Sequence, residues 1–286
     1  MTSGIMKNVK RLAAFSQGDK GGNPAGVLIA EKMPTEQDML KIAAAVNYSE
    51  TAFVTPSSDD QKEWRVRYFS PKIEIPFCGH ATIALTAALG QETGQSDFTL
   101  TLNDAVIEVN AGLVDGHPTA SIKSPPTWSK SLDADLQDRF CGLFGLNQAD
   151  LSTQLPPAMI HGGATHILLP LKDRKRLSQM SYDFDQGADL MTQHGITTVM
   201  LVYPECKNLF HVRNAFAVGG VIEDPATGAA AAALGGYLRD LDWTCDQQFT
   251  IKQGEDMGVP SIINVRYEAE QGSPVTVSGT VRPIQT

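Results

Sequence analysis

Long hydrophobic runs, an excess of basic residues and nucleotide-binding glycine motifs are all missing from this sequence of 286 residues. No apolar stretch approaches the roughly 18–20 residues that a membrane-spanning helix requires. The net charge is −9, from 32 acidic and 23 basic residues. This balance argues against nucleic-acid binding, which requires a basic face. Neither a GxGxxG motif nor a glycine-rich loop ending in Lys-Ser/Thr occurs, so nothing in the sequence supports a bound nucleotide.

Closely spaced cysteines are also missing. The chain has four, Cys78, Cys141, Cys206 and Cys245, and no two of them form a CxxC pair. We therefore predict no metal site, and free thiols in a reducing compartment. The N-terminal segment lacks the apolar stretch and cleavage site of a signal peptide, so we predict a cytoplasmic protein.

The composition is that of a folded globular protein, with 42% hydrophobic and 19% charged residues. Short β-branched and aromatic runs predict strands, such as "WRVRYF" (64–69) and "TTVMLVY" (197–203). Helical patterns are fewer, and residues 35–46 predict a helix with Thr35 as its N-cap. The sequence therefore indicates a mixed α+β chain.

One twelve-residue segment occurs twice in similar form. "EIPFCGHATIAL" (74–85) and "EDPATGAAAAAL" (223–234) share Glu, Pro, Gly, two Ala and Leu in register, 149 positions apart. Each copy follows a predicted strand that carries an arginine and a phenylalanine, at 66–69 and 212–216. We infer an internal duplication.

Each copy leads into a helix of small apolar residues, after Gly79 and after Gly228, and the first is predicted to end at Gly90. A helix without a polar face is buried on all sides. The predicted fold class is therefore α+β, with two pseudo-symmetric domains. Each domain is a curved, mostly antiparallel β-sheet or barrel wrapped around a central α-helix.

The paired prolines of "KSPPTWSK" (123–130) predict a linker between the domains. We predict an N-terminal domain at 1–123 and a C-terminal domain at 130–273. The last strand, within 274–286, is predicted to return to the N-terminal domain. The active site is expected in the cleft between the two domains.

The two copies differ in the side chains beside the shared glycine. The first N–H groups of a buried helix lack internal partners and carry the positive end of the helix dipole, so a bound carboxylate suits them. The first copy adds Cys78 and His80, and the second adds Asp224, Thr227 and Ala229. Turn geometry requires neither a thiol nor an imidazole, which favours a chemical role.

A third segment, "VNYSETAFV" (46–54), places Glu50 at the start of a predicted strand among small and apolar neighbours. A carboxyl group shielded from water suits proton transfer near neutral pH. Glu50 is therefore a candidate general acid and base.

These segments resemble the PhzF-like isomerase family of phenazine biosynthesis, which has the diaminopimelate-epimerase-like fold. The resemblance rests on "GNPAGV" (22–27), "NYSETAFV" (47–54), "RYFSPKIEIPFCGHAT" (67–82) and "EDPATGAA" (223–230), in the family's order. It implies catalysis without a metal or organic cofactor, a small-molecule carboxylate substrate and a homodimer.

The resemblance also implies a role for each matching residue. Glu50 would take a proton from one carbon and return it to another, while His80 and Asp224 hold the substrate and help the proton move. Backbone amides around Gly79 and Gly228 would bind the substrate's carboxylate. Further substrate-binding candidates in the same segments are Asn23, Ser49, Cys78, Thr227 and Ala229.

Two positions depart from family patterns. Ala229 stands where the phenazine enzymes have a serine, so a hydroxyl contact is lost while the backbone N–H remains. Cys78 occupies the place of a catalytic cysteine in the two-thiol epimerases of this fold, but its counterpart, Thr227, is no comparable base. We therefore predict a one-base isomerase. The alternatives are a Cys78-dependent epimerase or dehydratase of an amino or hydroxy acid, and a non-catalytic binding protein of the same fold.

Overall fold

The computed structural model describes residues 6–57, 59, 61–243 and 246–285. The chain folds into two compact units, Met1–Lys123 together with Ser278–Thr286, and Ser124–Val277. Cys245 lies outside the described residues, and the other three cysteines form no disulfide with one another.

The described part of the first unit contains a sheet, two helices and a short 3-10 helix at Met6–Asn8. Helix α1 spans Glu36–Val46 and helix α2 spans Gly79–Thr93. Its strands are β1 (Lys10–Ala14), β2 (Asn23–Ile29), β3 (Thr51–Pro56), β4 (Glu63–Phe69), β5 (Glu74–Ile75), β6 (Asp97–Thr101), β7 (Val106–Val114), β8 (His117–Lys123) and, last in the chain, β17 (Thr276–Pro283).

Eight of these strands close a barrel. Hydrogen-bonded pairs run from β1 to β2, β3, β4, β6, β7, β8 and β17, and β17 pairs with β1 again. The parallel pairs, β2–β3 and β4–β6, are the ones whose connections contain a helix, as parallel neighbours require. Closure leaves the barrel without a free edge.

Helix α2 runs through the middle of this barrel. It contacts β1, β2, β3, β7 and β8, and its residues from His80 to Leu89 are all buried. The prediction that it ends at Gly90 is wrong, because the helix continues to Thr93 and is ended by Gly94 at φ +71°. Gly90 is needed inside the helix, since an added Cβ there would lie 2.5 Å from the Cβ of Ala111.

The second unit repeats this plan. Its helices are α3 (Ala134–Leu143), α4 (Arg174–Ser178), α5 (Phe184–His194) and α6 (Gly228–Asp240), with 3-10 helices at Gln148–Asp150, Ala217–Gly219 and Glu255–Met257. Its strands are β9 (Trp128–Ser131), β10 (Ala158–His161), β11 (Thr165–Pro170), β12 (Thr198–Cys206), β13 (Leu209–Ala215), β14 (Glu223–Asp224), β15 (Gln248–Gln253) and β16 (Ser261–Arg266).

The strand order shows the duplication directly. The pairs run β9, β10, β11, β12, β13, β15 and β16, with β11–β12 and β13–β15 parallel and the two-residue β14 paired to β13. In the first unit, β2–β3 and β4–β6 are likewise parallel, and β5 pairs with β4. Helix α6 contacts β9, β10, β11 and β16. The predicted fold class, α+β with a sheet wrapped around a central helix in each half, is confirmed.

Close approach of the sheet to α6 depends on small residues. An added Cβ at Gly162 would lie 2.7 Å from the backbone nitrogen of Ala233, and one at Gly236 would lie 2.5 Å from Oγ1 of Thr127. Strand β9 begins at Trp128, within the segment 123–130 where paired prolines predicted a linker. Those prolines lie outside the strand.

Helix α1 packs on the outside of the first sheet and leads into the site. Thr35 accepts a hydrogen bond from the backbone N–H of Asp38 at 3.2 Å, which confirms it as the N-cap. Asn47 ends the helix in a left-handed conformation, at φ +59°. Ser49 and Glu50 then lead into β3. Within the described part of the chain, no helix is long and apolar enough to cross a membrane.

Candidate active site

Each repeated segment forms the same turn. The two-residue strands β5 and β14 pair with the ends of β4 and β13, so Glu74 lies opposite Phe69 and Glu223 lies opposite Ala215. The chain then passes through a proline and enters the central helix at its shared glycine. The turn therefore fixes where each helix begins.

An ion pair holds each turn to the strand before it. Arg67 on β4 donates from Nε to Oε1 of Glu74 at 2.7 Å. Arg213 on β13 donates from Nε to Oε2 of Glu223 at 3.0 Å. Hydrogen bonds from Arg67 hold the pKa of Glu74 below its usual range, and the same contact raises the pKa of Arg67. Each ion pair therefore joins its turn to the strand before it.

Neither central helix is capped by a side chain. The N-cap residues are Cys78 and Thr227, and neither side chain accepts a hydrogen bond from the first turn. An added Cβ at Gly79 would meet its nearest atom, in Phe77, at 4.0 Å. The space beside Gly79, at the start of α2, is therefore not filled by a protein side chain.

Four predicted site residues meet at the start of α2. Nε2 of His80 lies 3.3 Å from Oε2 of Glu50 and 3.4 Å from Oγ of Ser49. Nδ1 of the same ring lies 3.4 Å from Sγ of Cys78. The side chains of His80 and Glu50 are 9% and 18% exposed, so these polar groups interact largely shielded from water.

A buried chain of hydrogen bonds lies beneath Cys78. The hydroxyl of Thr82 donates to the carbonyl oxygen of Cys78 at 2.7 Å, and the phenol of Tyr68 lies 2.7 Å from the same hydroxyl. Burial raises the pKa of Tyr68, so its phenol stays protonated and donates to Thr82. These hydrogen bonds fix the backbone position of Cys78, and so help to orient its thiol and the nearby imidazole of His80.

The second unit assembles a different group at the start of α6. The hydroxyl of Thr227 donates to Oδ2 of Asp224. Gln253 on β15 donates from Nε2 to the carbonyl oxygen of Asp224 at 2.7 Å and to Oγ1 of Thr227 at 3.1 Å. Gln253 is buried and was not predicted from the sequence, because nothing near it on β15 signals a contact with a turn 26 residues earlier.

The scaffold is duplicated, but the carboxylate and the imidazole at the start of α2 are not. Thr51 and Thr198 hold equivalent positions. Each is the first residue of a strand that pairs in parallel with an earlier strand, β3 with β2 and β12 with β11. The residue before them is Glu50 in the first unit and Thr197 in the second. Ala229 likewise stands at the position of His80. The second unit therefore has no counterpart to the acid and imidazole of the first.

The predicted site residues thus fall into two groups by unit. Asn23 is buried at the start of β2, and Ser49, Glu50, Cys78, Gly79 and His80 lie around the start of α2. Asp224, Thr227, Gly228 and Ala229 lie around the start of α6. Among the described residues, one group offers three metal-donor types together, namely Glu50, Cys78 and His80.

A duplicated sheet-around-helix scaffold of this kind is the diaminopimelate-epimerase-like fold, which solved structures of a PhzF-family protein and of a probable proline racemase share. The family model described as phenazine biosynthesis-like protein, PhzC-PhzF, matches residues 12–284. The chain belongs to this family, and it is an isomerase rather than the non-catalytic binding protein considered above.

Individual relatives agree with this assignment. An uncharacterized isomerase from Clostridium acetobutylicum is 27% identical over 285 residues, which cover 94% of this chain and 93% of that protein. One from Deinococcus radiodurans is 31% identical over 271 residues, covering 92% and 87%. The crystal structure of a PhzF-family phenazine biosynthesis protein from Bacillus anthracis aligns with a TM-score of 0.83 at 23% identity, covering 97% of this chain and 96% of that one.

Proposed function

We propose that this isomerase moves a proton between two carbons of a small carboxylate-bearing substrate without a cofactor, with Glu50 as the acid and base. The observation that carries the proposal is the contact between Oε2 of Glu50 and Nε2 of His80 at 3.3 Å, at the start of a buried helix. A shielded carboxyl group beside an imidazole is suited to accept and return a proton.

The proton balance needs a single base. The Glu50 carboxylate takes a proton from a carbon whose electron pair then shifts into a neighbouring bond, so that the double bond moves. Protonated Glu50 then delivers a proton to the carbon at the other end. His80 stays within hydrogen-bond reach of Glu50 throughout, so the carboxyl proton can exchange with solvent through the imidazole before it is delivered. Nothing is added or lost overall, as an isomerisation requires.

Substrate binding is assigned to both units. The uncapped amides at Gly79 and Gly228 suit a carboxylate, because helix N-termini attract anions. His80 in the first unit and Asp224 in the second are each proposed as substrate-binding residues. We also propose further contacts to the substrate, from the side chains of Asn23, Ser49, Cys78 and Thr227 and from the backbone N–H of Ala229.

One observation favours a second candidate. Sγ of Cys78 lies 3.4 Å from Nδ1 of His80, and an imidazole at this distance can take the proton of a thiol and leave a reactive thiolate. The alternative is an epimerase or dehydratase in which Cys78 removes the proton next to a carboxylate. Thr197 and Thr227 supply no second base in the other unit, which favours Glu50 over a two-thiol mechanism.

Solvent exchange tests the proposal. The protein is incubated in deuterated water with a panel of small amino, hydroxy and cyclohexadienyl acids, and deuterium incorporation is followed by NMR and mass spectrometry. Glu50→Gln should abolish exchange, while Cys78→Ser should retain it. The matched control is Glu92→Gln, which removes a carboxylate from an exposed pair with Lys10 in the same unit.

The opposite pattern would transfer the role to the thiol. Exchange that survives Glu50→Gln but is lost in Cys78→Ser supports the Cys78 mechanism. The family resemblance also leads us to propose a homodimer, which light scattering on the eluting protein measures directly. Cytoplasmic location stays a prediction.

A further inference from the structure

Three side chains at the start of α2 offer a donor set that the proton-transfer mechanism does not explain. Glu50, Cys78 and His80 each supply one metal-donor atom, and the three atoms lie within 4.8 Å of one another. Proton transfer through Glu50 needs a carboxylate and an imidazole. It does not need a thiol at the same point.

The separations are close to those around a small tetrahedral ion. Zinc holds sulfur at about 2.3 Å and nitrogen or oxygen at about 2.0–2.2 Å, so neighbouring ligand atoms lie about 3.3–3.6 Å apart. Nε2 of His80 is 3.3 Å from Oε2 of Glu50 and 3.9 Å from Sγ of Cys78. All three donor atoms lie within 4.8 Å of one another, so Sγ of Cys78 has to move toward Nε2 of His80 for the three to reach one ion.

The chemistry of the donors selects the metal. A thiolate, an imidazole and a carboxylate together suit zinc, whereas magnesium and calcium prefer oxygen alone. A thiolate and a carboxylate carry two negative charges, which a divalent ion neutralises in this largely buried setting. Three protein ligands leave a fourth position for water or for a substrate oxygen.

We propose that Zn²⁺ binds Glu50, Cys78 and His80 as a reversible inhibitor of this isomerase. The Cys78 thiol releases its proton to solvent as the zinc–sulfur bond forms, and the imidazole binds in its neutral form. Zinc then occupies the carboxylate and the imidazole that the proton shift requires. The binding site stands on the geometry alone, and the inhibition rests on the proposed function.

Cobalt(II) reports on such a site directly. Titration of the metal-free protein with Co²⁺ should give a thiolate-to-cobalt charge-transfer band that saturates at one equivalent and is displaced by Zn²⁺. Cys78→Ser should remove the band. His80→Gln and Glu50→Gln should weaken Co²⁺ binding by about tenfold or more, while the matched control Cys206→Ser, at an exposed cysteine, should leave it unchanged.

A measurement on the wild-type protein guards against variants that fail to fold. X-ray absorption of the zinc-loaded protein should show one sulfur ligand among nitrogen and oxygen ligands. No charge-transfer band, or a zinc shell without sulfur, would overturn the site.

Inhibition is measured separately by the solvent-exchange assay. Zn²⁺ should abolish deuterium exchange and a chelator should restore it. Activation by Zn²⁺ would overturn the inhibitory role. If the protein exchanges deuterium into a substrate but binds no metal, the isomerase proposal is supported and the zinc site is wrong. Metal binding by a protein that exchanges no substrate supports the zinc site and counts against the proposed function.

Discussion

Arg67 and Glu74 form a forked ion pair, with Nη2 of the arginine 2.5 Å from Oε2 of the carboxylate in addition to the bond from Nε. The equivalent fork, between Arg213 and Glu223, stands under the second turn. Each forked pair joins the strand before the turn to the first residue of the repeated segment. Because the segment leads directly into the central helix, the pair helps to fix where that helix begins in each unit.

Glu74→Gln should reduce the dependence of the free energy of unfolding on pH in the acidic range. Because Arg67 lowers the pKa of Glu74, the ionised pair stabilises the fold above the ordinary value of 4.5, and this stability is lost as the pH falls through the lowered value. We expect a loss of about 1 kcal/mol at pH 7. Urea unfolding at a series of pH values measures it.

The difference between wild type and Glu74→Gln should shrink steadily below pH 4.5. Glu92→Gln is the control, because its exposed pair with Lys10 should contribute less than about 0.5 kcal/mol. A difference that stays constant down to pH 3 would show that the charge of Glu74 does not stabilise the turn.

Thr82→Val should destabilise the first unit more than Tyr68→Phe does. The valine removes the bond to the carbonyl oxygen of Cys78 and leaves the buried phenol of Tyr68 unpaired, which should cost about 1–3 kcal/mol. Tyr68→Phe leaves the bond from Thr82 to Cys78 intact. The free energy of unfolding of both variants, measured by denaturant titration, tests this order.

The double variant gives an internal check. Once Tyr68 is phenylalanine, Thr82→Val no longer strands a buried hydroxyl, so its cost should fall. Strict additivity of the two single effects would contradict the proposed hydrogen-bond chain.

Gly162→Ala should destabilise the second unit by about 1–3 kcal/mol, because the new methyl group would press on the backbone of α6. Gly142→Ala is the matched control. It lies within helix α3, where an added Cβ meets no atom within 4 Å, so alanine should stabilise by about 0.5–1 kcal/mol. Thermal melting distinguishes the two. Equal effects would show that α6 can shift to accept the methyl group.

Asn214→Leu should raise stability by about 1–2 kcal/mol. Asn214 is fully buried, and both atoms of its amide are without a hydrogen-bond partner among the described residues. Removing such a group recovers its desolvation cost. The control, Asn214→Asp, buries a charge beside Asp224, its partner across the strand pair, and should destabilise. A loss of stability in the leucine variant would show that ordered water satisfies this amide.

The central helices were predictable because their signal is local. Runs of small apolar residues after Gly79 and Gly228 required burial on every face, and the structure surrounds both with strands. The end of α2 was not predictable in the same way. Gly90 resembles a helix terminator in the sequence, but its missing side chain makes room for Ala111, which lies on a strand 21 residues further along the chain.

Several short strands were missed for a related reason. Strand β1 has the sequence KRLAA, with no β-branched residue, and β9 begins two residues after paired prolines. Each is extended because a neighbouring strand pairs with it. The local propensities of its own residues do not predict such a pairing. The role of Gln253 was not predictable for the same reason, because its partners are distant in the sequence. Glu50 and His80 were predicted as site residues, but the contact between them, thirty residues apart in the chain, was not.

Strand β17 belongs to the first barrel but follows the whole second unit along the chain. During translation, β1 and β8 must therefore wait with exposed edges while more than a hundred further residues leave the ribosome. Glu50, Cys78 and His80 are all synthesised early, yet the barrel around them closes only at the end. The nascent chain thus has reason to depend on folding helpers, and a prematurely terminated product would carry its reactive groups on an incomplete, aggregation-prone sheet.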